Sequence, residues 1–223
     1  MTDSNTESRR WSPLQIGVAI IAVVLVMGAF VPFYNSLAEQ GKQSKNFGAA
    51  RQIVTCLKLY AGDHNGAYPD SALPEAKSSN EVFRLLFKED ILTDERIFGA
   101  MISPFAPDGE IGSAPHYSKA LEAGENHWAM VTGLRDNASA LTPVVLENPL
   151  TTAPLRWTNV GLRSVKGRTW EKGKIVVAFN DTSVAMVGLV PDPGSSAPLL
   201  EMPPDSFPLP SPKGSPPVLD VLE

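Results

Sequence analysis

The chain has 223 residues, of which 43% are hydrophobic and 19% charged, and a net charge of −5. This acidic balance, with no basic stripe after Arg51, sets nucleic acid aside as a partner. A single cysteine, Cys56, rules out an intramolecular disulfide.

The first predicted element is the apolar run from Ile16 to Phe33, which contains no charge. Its 18 residues rise about 27 Å as a helix, close to the roughly 30 Å of bilayer hydrocarbon. Arg9 and Arg10 precede it, and Trp11 and Tyr34 stand at its edges as interfacial aromatics do. The expectation is a cytoplasmic N-terminus over 1–13, a transmembrane helix over 14–35 and the bulk of the chain on the periplasmic or outer side of a bacterial inner membrane. A cleaved signal peptide is a rival, with Ser36-Leu37-Ala38 as the small-residue site, but the apolar run is long for one. A twin-arginine signal is a weaker rival, because Ser12 and Pro13 stand where apolar residues belong.

The details of this stretch are similar to the N-terminal helix of type IV pilins and type II secretion pseudopilins. Trp11 and Ser12 stand at that family's cleavage point, Pro32 follows Gln15 by seventeen residues, and Tyr34 follows Pro32 by two. Arg10 replaces the family's glycine, Gln15 its glutamate, and Pro13 an apolar residue, so the processing site is degenerate. The resemblance implies assembly by helix–helix contact with other pilin-like subunits or assembly-platform proteins. Gln15, Gly17, Ala19, Ala22, Gly28, Ala29 and Pro32 are the expected anchoring and packing residues, the small ones permitting close approach. Pro32 is expected to kink the helix near the bilayer edge.

From Ser36 onward the helix is expected to continue outside the membrane, packing Phe47, Ala50, Ile53, Val54, Leu57 and Tyr60 against a sheet. Cys56 falls on an apolar face of this pattern as a buried small residue. Asp63, Asn65, Gly66 and Pro69 supply the turn that ends it. Leu57 to Ala61, Asp63, Asn65-Gly66 and Tyr68-Pro69 resemble the segment that follows the anchor in one group of pilin-like proteins. Ser79-Asn80-Glu81 caps a second helix over EVFRLLFKEDIL, and the following TDERIFGAMISP resembles the same group.

HWAMVTGL, LTPVVLEN and GKIVVAFNDTSVAMVGLV then predict strands, the last a hairpin about Asn180 to Ser183. That hairpin resembles the group's final one, with Thr182 in place of a glycine and hence a turn of another type. Together the pieces predict an α+β fold, a long N-terminal helix packed on a small antiparallel sheet, with the soluble domain spanning 36–190. Residues 191–223 hold ten prolines and are expected to form a disordered tail, or a docking peptide around Pro208 to Pro212.

No catalytic constellation emerges, and no enzyme activity or cofactor is expected. His64, His116 and His127 share no ligand spacing, and Asp63-His64-Asn65-Gly66 lacks the later glutamate of a calcium loop. Asp181 and Asp192 are the calcium candidates, as in some pseudopilins. Two functions remain open: a non-catalytic structural subunit of a type IV pilus or type II secretion machine, or a membrane-tethered binding module on the same scaffold that does not polymerise.

Overall fold

The computed structural model describes residues 12–160, 166–192, 194, 199–203 and 218–222. The chain divides into two compact units, Met1–Gly41 and Lys42–Glu223. One helix, α1 (Pro13–Asp63), runs through both and remains helical at Pro32.

In the first unit the helix has an apolar surface that is not covered by any other described residue. Its most apolar 18-residue window has a mean hydropathy of 2.7 and no buried residue. The second unit begins where α1 becomes amphipathic. Asn46, Ala50, Ile53, Val54, Leu57, Tyr60 and Ala61 are buried there, and Phe47 is partly so. Cys56 is buried as expected, and desolvation pushes its thiol upward, away from a reactive thiolate. The helix stops at Asp63 because Asn65 and Gly66 turn left-handed, and the Gly66 amide donates back to the Ala61 carbonyl at 2.7 Å.

The second helix, α2 (Ser79–Lys88), is capped one residue earlier than expected. Ser78 is the N-cap, accepting from the Glu81 amide, while Glu81 accepts from the Lys77 amide. The helix also ends earlier than expected, since Glu89 and Asp90 leave helical geometry. The segment after it forms a short 3₁₀ turn over Glu95–Phe98.

The strands form two antiparallel sheets where the sequence predicted one. The larger combines β1 (Trp128–Val131), β2 (Pro143–Glu147), β5 (Lys174–Phe179) and β6 (Val184–Gly188) with β9 (Val218–Leu219). Its order is β6-β5-β2-β1-β9. The first four match the predicted strands. The smaller sheet, in order β3-β4-β8-β7, joins β3 (Thr151–Thr152), β4 (Leu155–Thr158), β7 (Val190–Pro191) and β8 (Leu199–Glu201). Trp128, Trp157 and Trp170 are the largest fully buried side chains in the core they share with α1.

The packed unit does not end at 190: β8 pairs with β4, and β9 forms an edge of the larger sheet, burying Val218, Leu219 and Val221. Apolar residues at the chain's end outweigh the local proline content because they find a sheet edge to cover. The docking peptide expected at Pro208 to Pro212 lies outside the described residues. At the β5–β6 turn, Thr182 takes the left-handed conformation, with φ of 67°, a region that glycine adopts most readily.

Candidate functional site

The apolar part of α1 opens with a cap that the residue pattern had not suggested. Ser12 Oγ accepts from the Gln15 amide at 3.3 Å, and Gln15 Oε1 accepts from the Ser12 amide at 3.0 Å. Ser-x-x-Gln with Pro13 at the first helical position is a capping box, which satisfies two otherwise orphaned N–H groups without a net charge. Its signal is the local run Ser12-Pro13-Leu14-Gln15, which the pilin alignment reads instead as a cleavage point and a lost glutamate. Arg10 and Trp11 lie outside the described residues.

Along the same helix Leu14, Val18, Ile21, Val24, Leu25, Met27 and Phe30 are exposed by 55% or more. A methyl group added at Gly17 or Gly28 would meet open space. At about 100° per residue, Gly17 and Gly28 share one face, while Ala19 and Ala22 fall on another. The side chains of Ala29 and Pro32 lie outside the described set.

The two calcium candidates do not meet. Asp181 sits in the β5–β6 turn, where its carboxylate accepts from the Ser183 amide at 2.8 Å. Asp192 lies beyond the other end of β6, so the five-residue strand separates them by on the order of 15 Å. Asp192 pairs with Arg156 at 2.7 Å, and Arg156 also reaches Glu201 at 3.0 Å. The Gly194 amide and then Arg156 hold the Asp192 carboxyl below the usual carboxylate range.

A different acidic cluster was missed. Glu95, Asp108 and Glu125 bring carboxylate oxygens within 4.8 Å of one another. Glu95 accepts from the Gly109 and Leu121 amides at 2.9 Å each, and Glu125 from the Asp108 and Glu122 amides. The two buried carboxylates therefore act as internal acceptors that fold the 106–125 loop, replacing the backbone partners it would have in a strand. Burial chiefly, then the neighbouring acids, raises the Glu125 carboxyl. His64, meanwhile, stacks on Tyr60 with ring centroids 3.8 Å apart, and His116 is exposed. Among the described residues no histidine joins a group of three ligating side chains.

The most unusual chemistry lies under α1. Glu147, at the end of β2, is fully buried. Its Oε1 accepts from Trp170 Nε1 at 2.7 Å and from Asn46 Nδ2 of α1 at 3.2 Å, while Oε2 makes no hydrogen bond. His127 Nε2 stands 3.9 Å from Oε1, too far for a hydrogen bond, and neither ring nitrogen has a partner. Burial pushes Glu147 up to about 7, against the opposing pull of Trp170, Asn46 and the Val176 backbone N–H, and pushes His127 down to about 3. Asn46 also accepts from the Met101 amide at 3.3 Å, so one amide side chain ties α1 to both β2 and the loop after the 3₁₀ turn. Asn46 further lines a surface groove of about 310 Å³, with Ala49, Gly99, Ala100, Met101 and Phe105 among its walls.

Neither Asn46 nor Glu147 is legible as a site in the sequence, since Asn46 follows the polar run Lys42 to Lys45, Glu147 ends an apolar strand, and the two are distant along the chain. Comparison with family models, with curated proteins and with solved structures returned no match.

Proposed function

We propose that the protein is a membrane-anchored, pilin-like structural subunit with no catalytic role. One observation carries this reading. A single continuous helix presents a bare apolar surface over its first half and an amphipathic, buried face against antiparallel sheet over its second. Lipid satisfies the first half, because a helix closes all its own backbone hydrogen bonds. In this reading the N-terminus is cytoplasmic, the soluble unit lies in the periplasm or outside the cell, and the partners are lipid and other pilin-like chains.

The alternative, a tethered module that does not polymerise, is favoured by the Ser12–Gln15 cap. The Gln15 amide carbonyl serves its own helix terminus and leaves no charge for a neighbouring subunit's amine.

A crosslinking experiment in isolated membranes separates the two. Burial holds the Cys56 thiol away from its thiolate, so Ser36→Cys, just beyond the apolar segment, supplies one exposed thiol that can ionise. Assembly predicts that a short bis-maleimide gives a covalent dimer that survives a high-pH carbonate wash with the membranes. A carbonate-resistant monomer that never crosslinks would move the protein to the tethered class. Release of the protein into the wash would overturn both.

A further inference from the structure

β6 forms one edge of the larger sheet, and its sequence is Val184-Ala185-Met186-Val187-Gly188. Sheet edges are commonly guarded by a charge, a proline or a bulge, each of which discourages pairing with another chain. β6 has no charge and no proline, and its register with β5 runs unbroken from Val184 to Gly188.

The hydrogen-bond phase fixes which groups face outward. At one end the Phe179 amide donates to the Ser183 carbonyl at 2.9 Å, and at the other the Leu189 amide donates to the Gly173 carbonyl at 2.7 Å. Alternation between these points turns the backbone groups of Ala185 and Val187 toward β5, and those of Val184, Met186 and Gly188 away from it. In keeping with this phase, the amide of Val176, the residue opposite Met186, faces Glu147 on the β2 side. Among the described residues nothing bonds the outward N–H and C=O groups of Val184, Met186 and Gly188. Gly188 is exposed, and a methyl group added there would meet open space. β8 pairs with the chain beyond β6 from the β5 side, where Leu200 packs on Gly173, and so leaves this edge clear.

β6 is its own complement. A two-fold axis through Met186 sets Met186 opposite Met186 of a second copy, and Val184 opposite Gly188, in antiparallel pairs that exchange both backbone hydrogen bonds. Between them Ala185 faces Val187 of the second copy. On both faces a large side chain meets a small one, and no like charges are opposed. Asp181 and Asp192 lie past the ends of the strand, the latter paired with Arg156. Moving the axis to Ala185 or Val187 would set outward groups against Thr182 in the turn, or against Val190, which already pairs with Glu201.

We propose that β6 is a homotypic docking edge, through which two copies of the chain join their larger sheets by antiparallel β6–β6 pairing about Met186. The contact is separate from any packing of the apolar helix, and holds for an assembling or a merely tethered chain.

Met186→Cys in the full-length chain, in detergent micelles, tests it. Cα atoms in a hydrogen-bonded antiparallel pair stand about 5.5 Å apart, within disulfide reach. Mild oxidation should link most of this variant into dimers. Adding Gly188→Lys, which crowds the facing Val184, should abolish most of that product. Ser183→Cys, placed roughly 20 Å from its mate along the paired strands, should stay monomeric. A Met186→Cys chain that stays monomeric, or a Ser183→Cys chain that links equally well, overturns the edge. Ser36→Cys crosslinking reads helix assembly separately. Dimers at Ser36→Cys alone would sink the edge and leave that assembly standing, and dimers at Met186→Cys alone would do the reverse. Should Met186→Cys not fold, hydrogen exchange of the parent decides. With about nine-tenths of the chain paired, the fast-exchanging amides of 184–188 should slow roughly tenfold relative to dilute protein. Exchange independent of protein concentration overturns the edge.

Discussion

A chain truncated after Met202 is expected to lose on the order of 5 kcal/mol of stability, a large part of the total for a domain of this size. The deletion removes β9 and with it the buried side chains of Val218, Leu219 and Val221, each exposed by 5% or less. It also strips partners from the start of α2. The Asp220 carbonyl accepts from the Ser79 amide at 2.7 Å and from the Ser79 hydroxyl at 3.1 Å, and the Leu222 amide donates to Asn80 Oδ1 at 3.2 Å. Ser79 and Asn80 are fully buried, so their lost partners cannot all be replaced by water. The Lys166–Asp220 ion pair at 2.8 Å goes too, with a smaller effect because both groups are partly solvated. Urea denaturation of parent and truncated chains measures the difference. An unchanged midpoint would mean that the C-terminal segment is not part of the folded unit.

The second large effect is a stability maximum on the acid side of neutrality. Between 4.5 and about 7 the folded chain keeps a Glu147 proton that the unfolded chain has lost, so stability falls as pH rises through that window. His127 acts in the opposite sense. Between 6.5 and about 3 the unfolded chain holds the extra proton, so stability is lost as pH falls through that window. Where the windows overlap the slopes offset one another and leave a plateau. Glu147→Gln removes the alkaline loss alone. It should match the parent near pH 4.5 and exceed it by about 3 kcal/mol near pH 8, where the parent carries a buried carboxylate. Parallel stability profiles for the two chains would show that Glu147 ionises at the same pH folded and unfolded.

Much of the fold follows from periodicity. The apolar run, the amphipathic continuation through Tyr60, and the strands around Met130, Val145, Val176 and Val187 are each long or regular enough to be recognised locally. The smaller sheet was missed because its strands are two to four residues long and lie among prolines and polar residues. Val218-Leu219 escaped for a related reason, since an edge strand of two residues has no period to detect. The polar hub shows a deeper limit. Asn46 and Glu147 meet across 101 positions, and nothing in either neighbourhood announces the other. The Ser12–Gln15 cap, by contrast, is fully local, and only the competing pilin pattern over the same four residues obscures it.

The N-terminal peptide mass of the native protein, extracted from membranes, tests the anchor most directly. A permanent apolar helix predicts a chain that still contains Ile16 to Phe33, beginning at Met1 or Thr2 if unprocessed or at Trp11 if Arg10 is accepted at the processing site. A chain beginning at Glu39 would contradict the account, because it would leave a secreted domain with no helix to hold it in the membrane.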